Sequence, residues 1–151
     1  MTSPYSKDEI EAMIAKYKRV AREAGRTGSW DAWAELFTED AIYIDHGMGV
    51  FGGREAIRTW ITRTMTEFPA SEMRFYPWEW YVIDESRGWV VAKIWNRMSD
   101  PGDGSVHQEY NVTHFKYAGD GMWSLEEDVY NPQHFTEMIQ GWLAAKEQHA
   151  S

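Results

Sequence analysis

The sequence predicts an α+β fold, with helices in the first half, strands in the second half and one closing helix. Three observations carry this prediction. Apolar residues recur every three or four positions between residues 10 and 24 and again after residue 54, as in amphipathic helices. Four strand-like runs with short Gly-, Pro- and Asp-rich separators fill residues 73–131. A last helical stripe over residues 135–143 follows Asn131 and Pro132, an N-cap and a first-turn proline.

Capping signals predict the first two helices. Ser6 and Glu9 have the spacing of a capping box and begin the first helix, which stops near Gly25. Ser29 is placed to cap a second, short helix. The residues that share the apolar face of this second helix are Trp30, Trp33, Leu36 and Phe37.

One strand and a third helix complete the first half of the chain. Residues 41–45 combine β-branched and aromatic side chains directly after an acidic turn at 38–40, which predicts a strand. Glycines at 47, 49, 52 and 53 then predict a loop. A third helix begins at Arg54 and ends at Pro69, because the residue before a proline disfavours helical backbone.

The second half predicts an antiparallel meander. Its strands are expected over residues 74–84, 88–99, 105–117 and 122–130, and short separators favour antiparallel neighbours. Pro77 within the first of these runs indicates an edge position or a bulge. Alternation places Tyr76, Trp78, Trp80 and Val82 on one face of that strand.

Apolar residues occur on both faces of the predicted sheet. In the run 88–99, Val90, Ala92, Ile94 and Met98 share an apolar face, and Trp89, Val91, Lys93, Trp95 and Arg97 share a mixed one. Helices can cover one face, and a second copy of the chain is the simplest cover for the other. The sequence therefore predicts a homodimer through the outer sheet face.

Composition excludes several classes of protein. The 151 residues fit a single domain, 1–151. A net charge of −9 without a Lys/Arg-rich run disfavours nucleic-acid binding, and zero Cys excludes disulfides and thiolate chemistry. The five histidines have no metal-ligand spacing, so we expect no metal site. The N-terminus lacks the apolar stretch of a signal peptide and no run suits a membrane span, which predicts a soluble, cytoplasmic protein.

Three local phrases resemble the nuclear transport factor two-like superfamily, in its SnoaL-like branch of polyketide cyclases and ketosteroid isomerase-related proteins. Residues 30–41 (WDAWAELFTEDA) are similar to the family's helix and Leu-Phe-x-x-Asp-Ala entry into its first strand. Residues 52–57 (GGREAI) are similar to its Gly-Arg-Glu-Ala-Ile helix start. Residues 121–131 (GMWSLEEDVYN) are similar to the last strand of SnoaL-like cyclases.

The resemblance implies a cone-shaped curved sheet that wraps three helices of the first half and encloses an apolar pocket. It also implies cofactor-independent acid–base chemistry on a hydrophobic small molecule, as an isomerase, cyclase or dehydratase (lyase). Fold alone does not fix function in this superfamily, because it hosts enzymes and binding modules alike.

Several candidate site residues follow from matching these phrases. Asp45 falls at the position that resembles the general base of ketosteroid isomerase, although an Asp that begins a glycine-rich turn is a common structural arrangement. Tyr17 lies near the position of that enzyme's oxyanion-hole Tyr, with a buried core Tyr as the alternative. Thr113 stands where the isomerase carries its second, acidic donor, a departure that argues against steroid isomerisation. His46 is a candidate partner for Asp45 or for Asp128, with an exposed His as the alternative.

The last strand supplies the second group of candidates. Asp128 and Glu126 share a face with Tyr130 and would point into the cone, unless this face is solvated. The expected catalytic residues are thus Asp45, Asp128, Tyr17 and His46. The expected substrate-binding residues are Asn111, Thr113, Glu109, Glu126, Tyr130, Trp60 and Phe115.

Two other functions fit the same sequence. Epoxide hydrolysis needs two carboxylates and a cation around one water, and Lys93 or Arg97 supplies that cation only if the mixed face of their strand points inward. A non-catalytic binding or dimerisation module is the other alternative, in which the acids are structural.

Overall fold

The structure is a computed structural model that describes residues 4–150. The helices are α1 (Lys7–Thr27), α2 (Asp31–Ala34), α3 (Arg54–Thr66) and α4 (Pro132–Ala150), with a short 3₁₀ turn at Ala70–Glu72. The strands are β1 (Phe37–Asp45), β2 (Gly49–Gly52), β3 (Met73–Phe75), β4 (Trp78–Asp84), β5 (Trp89–Met98), β6 (Gln108–Gly119) and β7 (Met122–Val129).

All seven strands form one sheet, in the order β2-β1-β7-β6-β5-β3, and β4 also pairs with β5. The predicted α+β fold is confirmed. The neighbours β3–β5, β4–β5, β5–β6 and β6–β7 are antiparallel, as the meander requires, whereas β1 runs parallel to β7. This parallel pair joins the helical half of the chain to the end of the meander.

The caps of α1 tie the helix to the sheet. The Ser6 hydroxyl accepts the Glu9 amide at 3.1 Å, as predicted. The Glu9 carboxylate instead accepts the Tyr117 hydroxyl at 2.7 Å, which links the first turn of α1 to β6. The helix continues past Gly25 and ends at Thr27, because Gly28 takes the left-handed backbone conformation (φ 81°) that terminates helices.

Four sequence-based expectations about elements are wrong. Trp30, without a side-chain hydrogen bond, caps α2 instead of Ser29, so Leu36 and Phe37 lie beyond the helix. Strand β1 begins at Phe37 and absorbs the expected acidic turn, with a register irregularity before Ile42. The glycine loop contains β2, which pairs with β1. The run 74–84 divides into β3 and β4 on either side of Tyr76 and Pro77.

A bulge in β4 overturns the expected face of that strand. Trp78 pairs with Ile94 and Trp80 with Lys93, so two steps on β4 match one step on β5. The extra residue reverses the alternation, because successive side chains of a strand point to opposite faces. Trp78 therefore packs against the core, whereas Trp80 and Val82 are 43% and 60% exposed.

A second bulge lies in β7 at Ser124. Lys116 pairs with Leu125 and Tyr117 with Trp123, which leaves Ser124 unmatched. Trp123 and Glu126 consequently face the same side of the sheet although they are three positions apart, and both are buried. The bulge thus lets the core and the polar interior share one strand.

The core fills the space between the helices and the inner sheet face. The apolar face predicted for β5 is buried, with Val90 and Ala92 fully inaccessible. Aromatic rings dominate the packing, and Phe115 stacks on Trp123 with centroids 4.6 Å apart. At the end of the chain, Asn131 accepts the Gln133 amide at 3.0 Å and begins α4 as predicted. Among residues 4–150, no helix is long and apolar enough to cross a membrane.

Close packing of α1 against β3 yields a first prediction. A Cβ at Gly25 would overlap the backbone carbonyl oxygen of Arg74, which cannot move without disturbing β3. We expect Gly25→Ala to lower the free energy of unfolding by about 1–3 kcal/mol in urea titrations. Gly141→Ala in α4 is the control, because its nearest neighbour lies at an ordinary 3.5 Å and Ala favours helix by up to about 1 kcal/mol. Equal effects of the two substitutions would contradict the packing argument.

Candidate active site

A cavity of about 430 Å³ lies between the helices and the inner face of the sheet. Its volume is typical of small-molecule sites. Its walls are mostly aromatic and aliphatic side chains from the helices and the sheet. These include Trp30, Trp33, Trp60, Ile61, Met65, Tyr76, Trp78, Ile94, Phe135 and Ile139. Its polar lining is concentrated in Tyr17, Tyr43, Asp45, Asn96, Asn111, Glu126, Asp128 and Tyr130.

Two carboxyl groups from β7 and two phenols meet at this polar lining. The Tyr17 hydroxyl, from α1, donates to Glu126 Oε1 at 2.8 Å. The Tyr43 hydroxyl, from β1, lies 2.7 Å from Glu126 Oε2 and also contacts Asp128 Oδ2. The parallel register of β1 and β7, which pairs Tyr43 with Glu126, holds these groups together.

Burial raises the pKa values of both carboxyl groups in this pair. It raises the pKa of Glu126 well above the ordinary value, and the adjacent Asp128 carboxylate raises it further. Burial also raises the pKa of Asp128, while hydrogen bonds from Glu126, Tyr43 and Thr113 act in the opposite direction. Both pKa values are therefore raised, as expected for two buried carboxyl groups that contact the same phenol.

The pair also has partners on the neighbouring strands. Thr113 Oγ1, on β6, donates to Asp128 Oδ1 at 2.7 Å. Thr113 accepts a hydrogen bond from the Asn111 amide, and Asn111 Oδ1 accepts one from Asn96 Nδ2 at 2.6 Å. The network therefore spans β5, β6, β7, β1 and α1, and its members are buried or half-buried.

Asp45 lines the cavity at the end of β1, where its carboxylate also accepts hydrogen bonds from the following turn and from Tyr130. Its Oδ1 accepts the Tyr130 hydroxyl at 2.5 Å and the backbone amides of Gly47 and Met48 at 2.9 and 3.0 Å. These bonds close the turn after β1 and seat Tyr130 against Gly47, where a Cβ would overlap the Tyr130 hydroxyl. Burial, and then Asp45, raise the pKa of Tyr130, which keeps this phenol protonated.

The structure brings most of the predicted site residues to one cavity. Tyr17, Asp45, Trp60, Asn111, Glu126, Asp128 and Tyr130 line it, and Thr113 supports it from behind. Three other candidates lie elsewhere. His46 is exposed because it begins the turn after β1, where its Nε2 lies 2.7 Å from Glu127 Oε2. The Glu109 carboxylate accepts the Tyr110 amide, and Phe115 is a fully buried core residue between Trp78 and Trp123.

Two site residues were missing from the sequence-based set. Tyr43 shares the orientation of Asp45 on β1, so alternation alone was a usable signal for it. Asn96 lies on β5 between the buried residues Ile94 and Met98, and a polar residue within an apolar alternation is the signal for it.

The cations considered for epoxide hydrolysis do not reach the cavity. Lys93 Nζ lies over the Tyr110 ring at 4.3 Å, on the outer sheet face. Arg97 donates to Gln108 Oε1 at 2.9 Å. Among the described residues that line the cavity, none is Lys, Arg or His, and residues 4–150 contain no cluster of three or more His, Asp or Glu arranged to hold a metal ion.

The structure thus combines a curved-sheet α+β fold with an apolar cavity that has a carboxyl pair at its polar lining. The SnoaL-like domain family model matches residues 17–125, and the chain belongs to this family. A comparison with curated protein sequences gave no match.

Solved structures with the same fold include two described as epoxide enzymes. The epoxide hydrolase/cyclase-like SalBIII of pyran ring formation in salinomycin is 19% identical, with a TM-score of 0.65 over 85% of this chain and 95% of its own. An LEH-like epoxide hydrolase of M. tuberculosis is 15% identical, with a TM-score of 0.66 over 94% of each chain. An NTF2-like protein from Anabaena variabilis ATCC 29413 is 15% identical, with a TM-score of 0.63 over 87% of this chain and 94% of its own.

The raised pKa of Glu126 predicts a pH-dependent stability. A carboxyl group whose pKa is higher in the folded state binds more protons in that state. The free energy of unfolding therefore falls as the pH rises from the ordinary pKa of the group, about 4.3, through its pKa in the folded state. Wild-type protein should lose unfolding free energy between pH 5 and pH 9. In Glu126→Gln, whose side chain cannot ionise, we expect this loss to be smaller by about 1 kcal/mol or more. Urea titrations at each pH measure this, with Glu39→Gln at an exposed position of β1 as the control. Parallel curves for wild type and Glu126→Gln would contradict the assignment.

Proposed function

We propose that this protein is a cofactor-independent acid–base enzyme of the isomerase, cyclase or dehydratase type, acting on an uncharged hydrophobic molecule. One observation carries the proposal: Glu126 and Asp128 both contact the Tyr43 hydroxyl where they line an apolar cavity, and burial raises the pKa of each, so that the pair can hold one proton between them. A carboxylate and a carboxylic acid side by side supply the base and the acid that proton transfer requires.

The carboxyl pair supplies both the base and the acid of the proposed reaction. The ionised carboxylate takes a proton from a carbon or hydroxyl group of the substrate, while the protonated carboxyl group gives one to a carbonyl or ether oxygen. The pair then holds its proton on the opposite member, and a transfer between the two carboxyl groups through the Tyr43 hydroxyl, which contacts both, restores the starting state. Tyr43, in contact with both carboxyl groups, stabilises the charge as it moves.

The lining of the cavity supports an uncharged substrate. Aromatic walls bury apolar surface favourably, whereas an anionic substrate would meet carboxyl groups without a cation among the described lining residues. The substrate therefore carries one oxygen function on a compact apolar skeleton of roughly bicyclic size.

Epoxide opening is the second candidate, favoured by the fold that the chain shares with the two epoxide enzymes. Here the acid protonates the epoxide oxygen and the carboxylate activates a water or an internal hydroxyl group. Because Lys93 and Arg97 lie away from the cavity, neither assists this chemistry. Incorporation of ¹⁸O from labelled water into a diol distinguishes hydrolysis from isomerisation or cyclisation, which incorporate none.

Proton transfer has a direct test that requires no known substrate. The protein is incubated in D₂O with a panel of uncharged bicyclic ketones, and hydrogen exchange next to the carbonyl is followed by NMR. We expect catalysed exchange with at least one ketone, and a loss of about 10²–10⁴-fold in Asp128→Asn and in Glu126→Gln.

The control is Glu127→Gln, one position away on β7 and outside the cavity, which should retain the wild-type rate. A carboxylic acid analogue of an active ketone tests whether a negative charge on the substrate weakens binding. Quenching of the fluorescence of the cavity tryptophans measures the binding of this analogue. Ketones that bind without exchange would support the binding-module alternative and overturn the enzyme proposal.

We also propose that two copies associate through the outer sheet face. Ile42, Trp80, Val82 and Val129 are 43–60% exposed in the single chain, which supports an apolar interface there. In the part of the chain that the structure describes, residues of α1, α3 and α4 line the cavity on the inner face of the sheet, so a second sheet is a suitable partner for the outer face.

Val129→Lys tests this association, because the new charge would have to be buried between the two sheets. We expect at least about a tenfold weaker dimer by light scattering across a dilution series. Leu143→Lys on α4, also 45% exposed, is the matched control and should leave the mass unchanged. A wild-type chain that remains monomeric at high concentration would refute the proposal.

A further inference from the structure

We infer that Asn96 is a positioning residue that determines which member of the Glu126–Asp128 pair is the base. This inference rests on the proposed function, because it assigns the acid and the base within the same site. A chain of hydrogen bonds runs from Asn96 through Asn111 and Thr113 to Asp128, and its donor–acceptor direction is fixed.

A backbone carbonyl sets the direction at the start of the chain. The side-chain amide of Asn96 lies 3.3 Å from the carbonyl oxygen of Glu109 and 2.6 Å from the Asn111 amide. A carbonyl oxygen only accepts, so the Asn96 atom that faces both partners is nitrogen. The Asn111 atom that it meets is then oxygen, which turns the Asn111 amide nitrogen toward Thr113.

Thr113 transmits this direction to the carboxyl pair. Its hydroxyl oxygen accepts the Asn111 N–H, and its single proton is left to donate to Asp128 Oδ1 at 2.7 Å. Oδ1 of Asp128 is therefore an acceptor that carries no proton. Without Asn96, a half-turn of the Asn111 amide would present an oxygen to Thr113 and attract the hydroxyl proton away from Asp128.

Burial favours the same assignment. Each carboxyl group accepts one hydroxyl donor, Asp128 from Thr113 and Glu126 from Tyr17, but Glu126 is almost fully buried, at 2% exposure, where a charge is most costly, whereas Asp128 is half-buried. The shared proton consequently stays on Glu126. Asp128 is the base that receives the substrate proton, and Glu126 is the acid that donates to oxygen.

Asn96→Asp is the direct test, because a carboxylate at this position accepts and so reverses the chain. Full-length protein with ¹³C-labelled Asp carboxyl groups is titrated by NMR, and the Asp128 signal is identified by its loss in Asp128→Asn. We expect the midpoint of the Asp128 titration to rise by about one pH unit in Asn96→Asp, which corresponds to the loss of one charge-assisted hydrogen bond. The neutral variant Asn96→Ala should shift it in the same direction, which keeps the test valid if Asn96→Asp does not fold.

A double-mutant cycle separates the relay from the added charge. In a Thr113→Val background the relay is already broken, so Asn96→Ala should produce no further shift and Asn96→Asp only its smaller coulombic part. Thr113→Ser keeps the hydroxyl and should retain the wild-type midpoint. Equal shifts of each Asn96 variant in both backgrounds, or no shift in either, would overturn the inference. The titration needs no substrate, so a relay that is present without hydrogen exchange would refute the proposed function alone.

Discussion

The parallel pairing of β1 with β7 is the constraint on which the rest of the site depends. Its register sets Tyr43 beside Glu126 and Asp45 beside Asp128, and it connects two parts of the chain that are more than 80 residues apart. Parallel neighbours need a long crossover, and here α3 and most of the sheet form it. The carboxyl pair consequently acquires its phenol partners only when the last strand docks, which makes the site a product of the complete fold.

Sequence patterns predicted the parts of this arrangement that follow from local rules. Strand parity placed Glu126 and Asp128 on one face, the resemblance to the SnoaL-like last strand implied that this face points inward, and helical periodicity placed Tyr17 on the apolar face of α1. Pro77 indicated an edge position or a bulge in the run 74–84, but it did not specify the extra residue between Trp78 and Trp80 that reverses the parity, so the exposure of Trp80 and Val82 was not predicted. His46 was expected to partner Asp45 or Asp128, but it begins the turn after β1 and contacts Glu127 instead.

Asn96 shows a different limit of sequence reasoning. Its position within the apolar alternation of β5 is visible in the sequence, but its partners Asn111 and the Glu109 carbonyl belong to another strand. Register between strands depends on bulges and turns, which single-sequence patterns do not specify. Burying this polar network costs stability, and the hydroxyl and amide bonds around each carboxyl group offset part of that cost.

The Ser124 bulge also separates the carboxyl pair from the hairpin turn between β6 and β7. Before the bulge, the inward-facing residue of β7 is Trp123, which packs in the aromatic core. After the bulge, the register with β1 determines which residues of β7 face inward. The hairpin turn between β6 and β7 adjoins only the first of these segments. That turn therefore lies on the far side of the bulge from Glu126 and Asp128, so it is free to diversify during evolution while the carboxyl pair keeps its register with Tyr43 and Asp45.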